Sequence, residues 1–402
     1  ERSDQGSDPT NRFKLDDIGD IANGTASQRV AANLAAIRLS KTLQQENRRA
    51  TDKEKAILAQ YVGWGGLKRV FDNVGNRAKF EKEAQAELKQ LLTPTEFTAV
   101  GNTVRSAFYT SKDIVKGMWA GVEAFNLTSK TGKINVVEPS VGTGNFIGWQ
   151  PDSLRDKSNW TATELDPITG TIAQQIYDDA NIKVSGFQDA AFKKGVFSLA
   201  IGNPPFSKQP IYDKKEKDIS GMSMHNYFIA KSAKLLHENG LMMMVVSHAF
   251  LDNKNANHRQ LSNYVDMVGA IRLPNTAFKS NASTEVTTDI VVFRKLKQGE
   301  AAQNRVWEDV NGNIDGIRIN KYFEQNPQNI LGTLSDKGSM YADEEELTVN
   351  PSPEHADINQ SVTNALQKMA ADYDLAVTDE TSEKIAGEVM LSESDLALGG
   401  FM

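Results

Sequence analysis

Residues 134–146 read Ile-Asn-Val-Val-Glu-Pro-Ser-Val-Gly-Thr-Gly-Asn-Phe. A short apolar run, 134–138, ends on a carboxylate and is followed at once by a glycine-containing loop. Gly142 and Gly144 let the backbone approach a ligand closely at the carboxyl end of a strand. The third glycine of a dinucleotide fingerprint is missing, which disfavours a nicotinamide cofactor. Glu138 at the strand tip suits a cationic ligand group instead.

Outward from this stretch the chain alternates. Further apolar runs lie at 160–164, 182–185, 197–201, 241–247, 268–273 and 289–294, with helical patterns between most of them, as at 168–177 and 225–237. Strand–helix alternation at this rhythm predicts an α/β fold with a largely parallel, doubly wound sheet. The region before it differs. Val30, Leu34, Ile37, Leu39 and Leu43 recur at helical spacing, and Thr51-Asp52-Lys53-Glu54 reads as a capping box opening a second helix. Helices are also predicted over 78–92 and from Thr93 onward. Gly63-Trp64-Gly65-Gly66 is too rich in glycine for helix and predicts a sharp turn packing an aromatic ring. The expected organisation is an extended arm over 1–24, a helical N-terminal domain over 25–106, the α/β domain over 107–300, an extension over 301–350 with a short helix and turn at 320–332, and an acidic linker or tail over 351–402. The Pro351-Ser352-Pro353 opening signals that linker.

A length of 402 residues suits two or three domains, and 39% hydrophobic with 24% charged residues is ordinary for a globular protein. With no cysteine, disulfides, cysteine zinc sites and thiol catalysis are excluded. Only five histidines occur, none spaced with Glu as in a metal site, so no metal is expected. There is no apolar run long enough for a membrane span and no signal-like start, so a cytoplasmic location without a membrane partner is expected. The net charge of −7 hides an asymmetry. Residues 340–402 carry 14 acidic residues and two lysines, a sum of −12, so the other 339 residues sum to +5. A basic body permits a polyanionic partner such as nucleic acid, although +5 on that length is also unremarkable.

Two more constellations carry chemistry. Glu164 ends the second apolar run, where a carboxylate accepts hydrogen bonds from ribose hydroxyls. Asp166 is the near alternative, but it fits better as the cap of the helix opened by Pro167. Asn203-Pro204-Pro205-Phe206 follows a buried run and is the most specific signal in the chain. Consecutive prolines fix the backbone and remove two N–H donors. That leaves a rigid, acceptor-rich corner with one amide side chain and one aromatic ring.

At this point the chain resembles a family. From Phe108-Tyr109-Thr110 through EPSVGTGNF (138–146), TELD (163–166), GFQD (186–189) and NPPF (203–206) to TEVTTDIVVF (284–293), the order of motifs is similar to that of the gamma group of N6-adenine DNA methyltransferases. A narrower resemblance, carried by 61–67, 270–278 and 320–323, is to the methyltransferase–helicase fusion proteins of phages and conjugative elements, some of them antirestriction factors. No Gly-x4-Gly-Lys-Ser/Thr occurs, so the chain reads as the methyltransferase portion of something longer, with the helicase domain elsewhere in the full-length polypeptide.

The resemblance implies a Rossmann-like methyltransferase sheet with S-adenosylmethionine as cofactor and double-stranded DNA as partner, in a bacterial host cytoplasm or carried in a phage particle. It places the cofactor's methionine end near Tyr109, Thr110, Glu138, Ser140 and the loop of Gly142, Gly144 and Phe146. Its ribose goes to Glu164 and its adenine to Phe187 and Asp189. Ser198 stands where the family usually has Asp. In the catalytic corner, Asn203 and the Pro204 carbonyl would accept the two hydrogens of a target amine, with Pro205 holding the corner rigid. Phe206 would stack on a flipped base, and Phe278 would supply a second face unless it is a core ring. Lys208 and Tyr212, in the lysine-rich stretch 207–224, would face DNA unless that stretch is only a solvated loop. His225, opening a helical stretch, is given no chemistry. Methylation of cytosine N4, an RNA adenine or a protein glutamine would use the same corner, and a non-catalytic DNA-binding antirestriction module is the non-enzymatic alternative.

Overall fold

The computed structural model describes residues 12–18, 23–73, 75–104, 109–127, 132–278, 286–337 and 347–373. Four helices come first: α1 (Ala26–Glu46), α2 (Asp52–Leu58), α3 (Lys79–Leu91) and α4 (Pro94–Thr103). Their starts are chemically marked. Thr25, Thr51 and Thr93 each accept from the backbone three residues on, and Gln28, Glu54 and Glu96 reach back to the cap amide. Each such box satisfies two otherwise orphaned donors. Between α2 and α3 the predicted turn is present. Gly63 and Gly66 both take left-handed φ, 71° and 70°, and Trp64 is fully buried, edge-on to Phe71.

After α5 (Lys112–Ala124) the α/β region begins: β1 (Ile134–Glu138), α6 (Asn145–Gly148), α7 (Asp152–Arg155), β2 (Ser158–Glu164), α8 (Pro167–Ile176), β3 (Asn181–Val184), β4 (Phe197–Gly202), α9 (Met224–Leu235), β5 (Leu236–Ser247), α10 (Ala249–Asp252), α11 (Ala256–Leu261), β6 (Val265–Leu273) and β7 (Thr288–Lys295). The seven strands form one sheet in the order β3-β2-β1-β4-β5-β7-β6. β1 pairs in parallel with both β2 and β4, so Val137 lies between Thr161 and Ala200. Only β7 runs against its neighbours, β5 and β6. The order reverses between β1 and β4, and a crevice at the carboxyl ends of strands flanking such a switch is where ligands bind in open α/β sheets.

Both sheet faces are covered, which is why the central strands are apolar without alternation. Val136, Leu199 and Met243 point into a core shared with α1, α5 and α8. Their neighbours Val137, Ala200 and Met242 point into a second core with α9 and Trp307. The N-terminal helices α1, α2 and α4 rest on α8, adding a layer on the first face.

The chain beyond β7 closes the far end of the sheet. A hairpin of β8 (Gly312–Ile314) and β9 (Ile317–Ile319) leads into α12 (Lys321–Gln325), followed by the pair β10 (Thr333–Ser335) and β11 (Thr348–Asn350). Asn320 ties this segment down, donating to the carbonyls of Leu251 and Trp307 at 2.6 and 2.8 Å.

One expectation about the ends is corrected. Residues from 351 were expected to be a linker or tail outside the fold. Instead α13 (Ile358–Asp372) packs along α5, burying Val362, Leu366 and Met369. A Cβ on Gly117 would lie 2.8 Å from Val362, and one on Gly121 would lie 2.6 Å from Leu366, so the two glycines form the seat for this helix. Residues 374–402 of the expected tail lie outside the described residues. Of the extended arm expected over 1–24, residues 1–11 and 19–22 lie outside the described residues, and residues 12–18 dock on the α/β region. Arg12 is buried, ion-paired with Asp179, and donates to Gln150 and to the carbonyls of Arg155 and Ser158 at 3.1 Å each.

Candidate active site

The tips of β1, β2 and β4 converge on one cavity of about 450 Å³, within the range of small-molecule sites. The loop after β1 gives its floor. Gly142 has φ 54°, and its amide donates to Glu164 at 2.9 Å. The other Glu164 oxygen accepts from the Asp166 amide, also at 2.9 Å. Two backbone donors thus fix this carboxylate at the cavity wall. Asp166 caps α8 with one oxygen, which accepts from the Thr169 amide at 2.8 Å and the Thr169 hydroxyl at 2.5 Å. Both acids line the cavity.

The remaining candidate residues divide between this cavity and a smaller one beside it. Tyr109, Ser140, Gly142, Glu164 and Phe187 line the large cavity together with Asn203 and Pro205. Thr110, Glu138 and Phe146 line a recess of about 30 Å³ that shares Tyr109, Ser140 and Asn203 with it. Asn145 donates to the Thr110 carbonyl at 2.9 Å, holding the segment before α5 against the glycine loop. Ser140 donates to the Asn203 carbonyl at 3.2 Å, fastening that loop to the Asn203–Phe206 corner. Gly144 faces away from the cavity. A Cβ there would meet the Tyr177 ring at 2.2 Å, and φ is 81°, so its glycine is demanded by packing. Phe108 lies outside the described residues.

Electrostatically the site holds two acids, the buried Glu138 and the half-buried Glu164. Burial pushes Glu138 well above the usual carboxylate range, and the nearby charge of Glu164 adds to this. One Glu138 oxygen has no hydrogen-bond partner among the described residues. Burial raises Glu164 to about 7 against the opposing backbone donors. A buried carboxyl with an unmet acceptor, a second one held at the rim and a glycine floor fit a ligand bearing an ammonium or sulfonium charge and a ribose.

Four further candidates fall outside this arrangement. Asp189 is exposed, bonded to its neighbour Gln188 at 2.9 Å, and does not line the cavity. Gln188 lines it instead. Phe278 was expected to offer a stacking face, but it is 3% exposed within the first core, so the core reading holds. Lys208 and Tyr212 are exposed on the loop after the corner, Tyr212 at 74%.

Other wall residues escaped the sequence reading. Asn102 and Thr103 of α4, Ile211 of the loop after the corner, Phe228 of α9 and the exposed Leu165 all line the cavity. No motif marks them, although an apolar Leu165 between two acids was a visible anomaly. His225, to which the sequence assigns no chemistry, lies beside the corner. Ser223 is the cap residue, and His225 is buried with its ring edge-on to Phe206, centroids 5.2 Å apart. Burial lowers His225 to about 4, so a neutral imidazole backs the aromatic ring of the corner.

Residues 28–267 match the Eco57I restriction-modification methylase family. The chain is 26% identical over 269 residues to the defense against restriction protein B of Escherichia phage P1, covering 66% of this chain and 10% of that protein. It is 25% identical over 142 residues to the modification methylase CviBIII of Paramecium bursaria Chlorella virus NC1A, covering 35% and 37% respectively. It thus spans well under two thirds of the length of both curated relatives. The methyltransferase subunit of a type I restriction-modification system from Streptococcus thermophilus has a similar structure, with a TM-score of 0.43 and 13% identity over 84% of this chain and 74% of that one. With the family match extending over more than half of the sequence, from α1 to the start of β6, the chain belongs to the Eco57I restriction-modification methylase family, and its cofactor is S-adenosylmethionine.

Proposed function

We propose that the chain is a DNA methyltransferase that modifies the exocyclic N6 of adenine. One observation carries the reading: Asn203 and Pro205 of the corner open on the cavity that also holds Glu164 and Gly142. Cofactor and target amine would therefore meet in one enclosure. When bound, S-adenosylmethionine supplies an electrophilic methyl group on a sulfonium centre.

The residues of the chain do the rest by positioning. An exocyclic amine is a poor nucleophile because its lone pair is delocalised into the ring. Acceptance of its two hydrogens by the Asn203 side-chain oxygen and the Pro204 carbonyl favours a tetrahedral nitrogen and frees that pair for in-line attack. Pro204 and Pro205 lack N–H groups, so the corner turns acceptors toward the amine. A base inside a duplex cannot reach this depth, so the adenine must be flipped out. The half-buried Phe206, backed by His225, offers its stacking face. Tyr212 and Lys208 stand exposed on the following loop, where a phosphate backbone would pass.

Protection of a phage or mobile element from restriction is the role this reading suggests, supported by the likeness to the phage P1 protein. A helicase domain in the same full-length polypeptide is the matching proposal for a chain that covers 10% of that relative. The test is Asn203→Ala assayed on duplex DNA with methylation mapped by base. Cofactor affinity should be retained while kcat falls by about 10²-fold or more. Methyl groups found only on cytosine or on RNA with the parent protein would overturn the adenine assignment.

A further inference from the structure

The Gly63–Gly66 turn lies in the N-terminal helical region, far in sequence from the cofactor loop, and the proposed chemistry gives it no task. Its backbone is nonetheless fixed with unusual care. Asn33 of α1 is fully buried, accepts from the Val62 amide at 2.9 Å and donates to the Gly63 carbonyl at 2.6 Å. Arg29 reaches the Gly65 carbonyl at 3.4 Å, and the Trp64 ring is fully buried.

What this fixed turn presses against is Tyr109. A Cβ on Gly63 would lie 2.5 Å from Cε2 of Tyr109, and a Cβ on Gly142 would lie 2.5 Å from Cε1 of the same ring. Two glycines in left-handed conformations, one from each region, therefore close on opposite edges of one tyrosine. No other residue fits either place without moving the ring. Tyr109 lines both the cofactor cavity and the recess that holds Glu138. The same helical region supplies Ala99, Asn102 and Thr103 of α4 to the large cavity.

We propose that the Gly63–Gly66 turn is a positioning element of the cofactor site, in which Gly63 clamps Tyr109 against Gly142 so that the N-terminal helices complete the cavity. The proposal rests on the reading of this cavity as the cofactor site. Gly63 and Asn33 touch no cofactor; they act through the tyrosine ring.

The experiment measures S-adenosylmethionine affinity by calorimetry on the full chain, with the thermal midpoint recorded for every variant. Gly63→Ala should weaken binding by about tenfold or more, because it displaces a wall residue by roughly the length of the clash. Asn33→Ala loosens the turn without adding an atom and should weaken binding by a smaller factor, which keeps the test available if Gly63→Ala does not fold. In a Tyr109→Ala background, where the ring is gone, both effects on affinity should vanish while any loss of midpoint persists. Lowered midpoints with unchanged affinity in the Tyr109 parent would overturn the clamp. So would equal affinity losses with and without the ring. Glu164→Ala separates the two claims. If it weakens binding and the turn variants do not, the clamp fails alone. If neither it nor Tyr109→Ala changes affinity, the reading of the cavity fails.

Discussion

The Gly142 amide donates to the Glu164 carboxylate across 2.9 Å, joining the loop after β1 to the tip of β2. The bond joins two walls of the cavity, so Glu164 braces the glycine floor and, on the proposed reading, also accepts from the cofactor ribose. Its removal should loosen both. Glu164→Ala is expected to cost about 1.5–3 kcal/mol of cofactor affinity, the value of a charge-assisted hydrogen bond, with a further loss if the loop relaxes. Titration calorimetry reads this directly.

The same two acids predict how binding depends on pH. Glu164 is raised to about 7 and Glu138 is raised further in direction, chiefly by burial. Near neutrality the ligand-free protein therefore holds protons that a cationic, hydroxyl-bearing ligand displaces. Affinity should rise as pH increases from about 6 to 8, and protons should be released on binding. Calorimetry in buffers of different ionisation enthalpy measures the release. Glu164→Gln should reduce both the release and the slope; a flat pH profile in the parent protein would contradict the assignment.

His225 and His258 give stability a pH dependence of known sign. Burial lowers both to about 4 in the folded protein, against about 6.5 for an unfolded chain. As pH falls through 6.5 the unfolded state takes up these protons while the folded state does not. Stability should drop between 6.5 and 4, by up to about 3 kcal/mol per site. His225→Phe keeps an aromatic ring beneath Phe206 and removes one site. Its urea midpoint should therefore fall less than that of the parent between pH 7 and pH 5.

A buried ammonium couples the far wall of the cavity to the loop after the corner. Lys231 of α9 donates to the Phe187 carbonyl at 2.7 Å and to Asp213 at 3.1 Å, and sits 4.9 Å from the Phe187 ring centroid. Lys231→Met should cost about 1–3 kcal/mol, because the buried Asp213 loses its cation while it still accepts from the Tyr227 hydroxyl and the Lys215 and Glu216 amides. Lys231→Met combined with Asp213→Asn should recover part of that loss in equilibrium unfolding. Cofactor affinity should weaken in the single variant, since the wall at Phe187 loses its tether.

Legibility in the sequence followed locality. β1 is legible to the residue because a continuous apolar run ends on Glu138 and a glycine loop, both signals within a dozen positions. The helix starts at Thr51 and Thr93 are equally local, being written in capping boxes. Phe278 was ambiguous because its role depends on what surrounds it, and burial decided for the core. Arg12 was invisible for a stronger reason. In a polar stretch nothing announces that one guanidinium will find Gln150, Arg155, Ser158 and Asp179, all well over a hundred positions away. The Gly63 turn was recognisable as a turn, but its contact with Tyr109 is made only after two regions have packed.

The C-terminal helix shows how a linker signal can mislead. Pro351-Ser352-Pro353 and the surrounding acidic residues suggest chain outside the fold, while Val362, Leu366 and Met369 repeat at spacings of four and three, the stripe of an amphipathic helix. What the stripe needed was a partner, and that partner is the glycine pair Gly117 and Gly121 on α5, where small residues allow close approach. Val362 and Leu366 are fully buried there and Met369 nearly so. Leu366→Ala should therefore cost about 2–5 kcal/mol. Truncation after Asn350 removes all three side chains and should cost about 5–9 kcal/mol on transfer arithmetic alone. That is comparable with the whole stability of a typical domain, so the truncated chain should unfold or fail to accumulate in soluble form. Gly121→Val approaches the same contact from the other side, its added atoms meeting Leu366 without touching the cavity. It should lower the urea midpoint while the effect of Leu366→Ala shrinks in its presence, because the seat is already disturbed. An unchanged midpoint on truncation would mean that α13 contributes nothing to the folded state, whatever it covers.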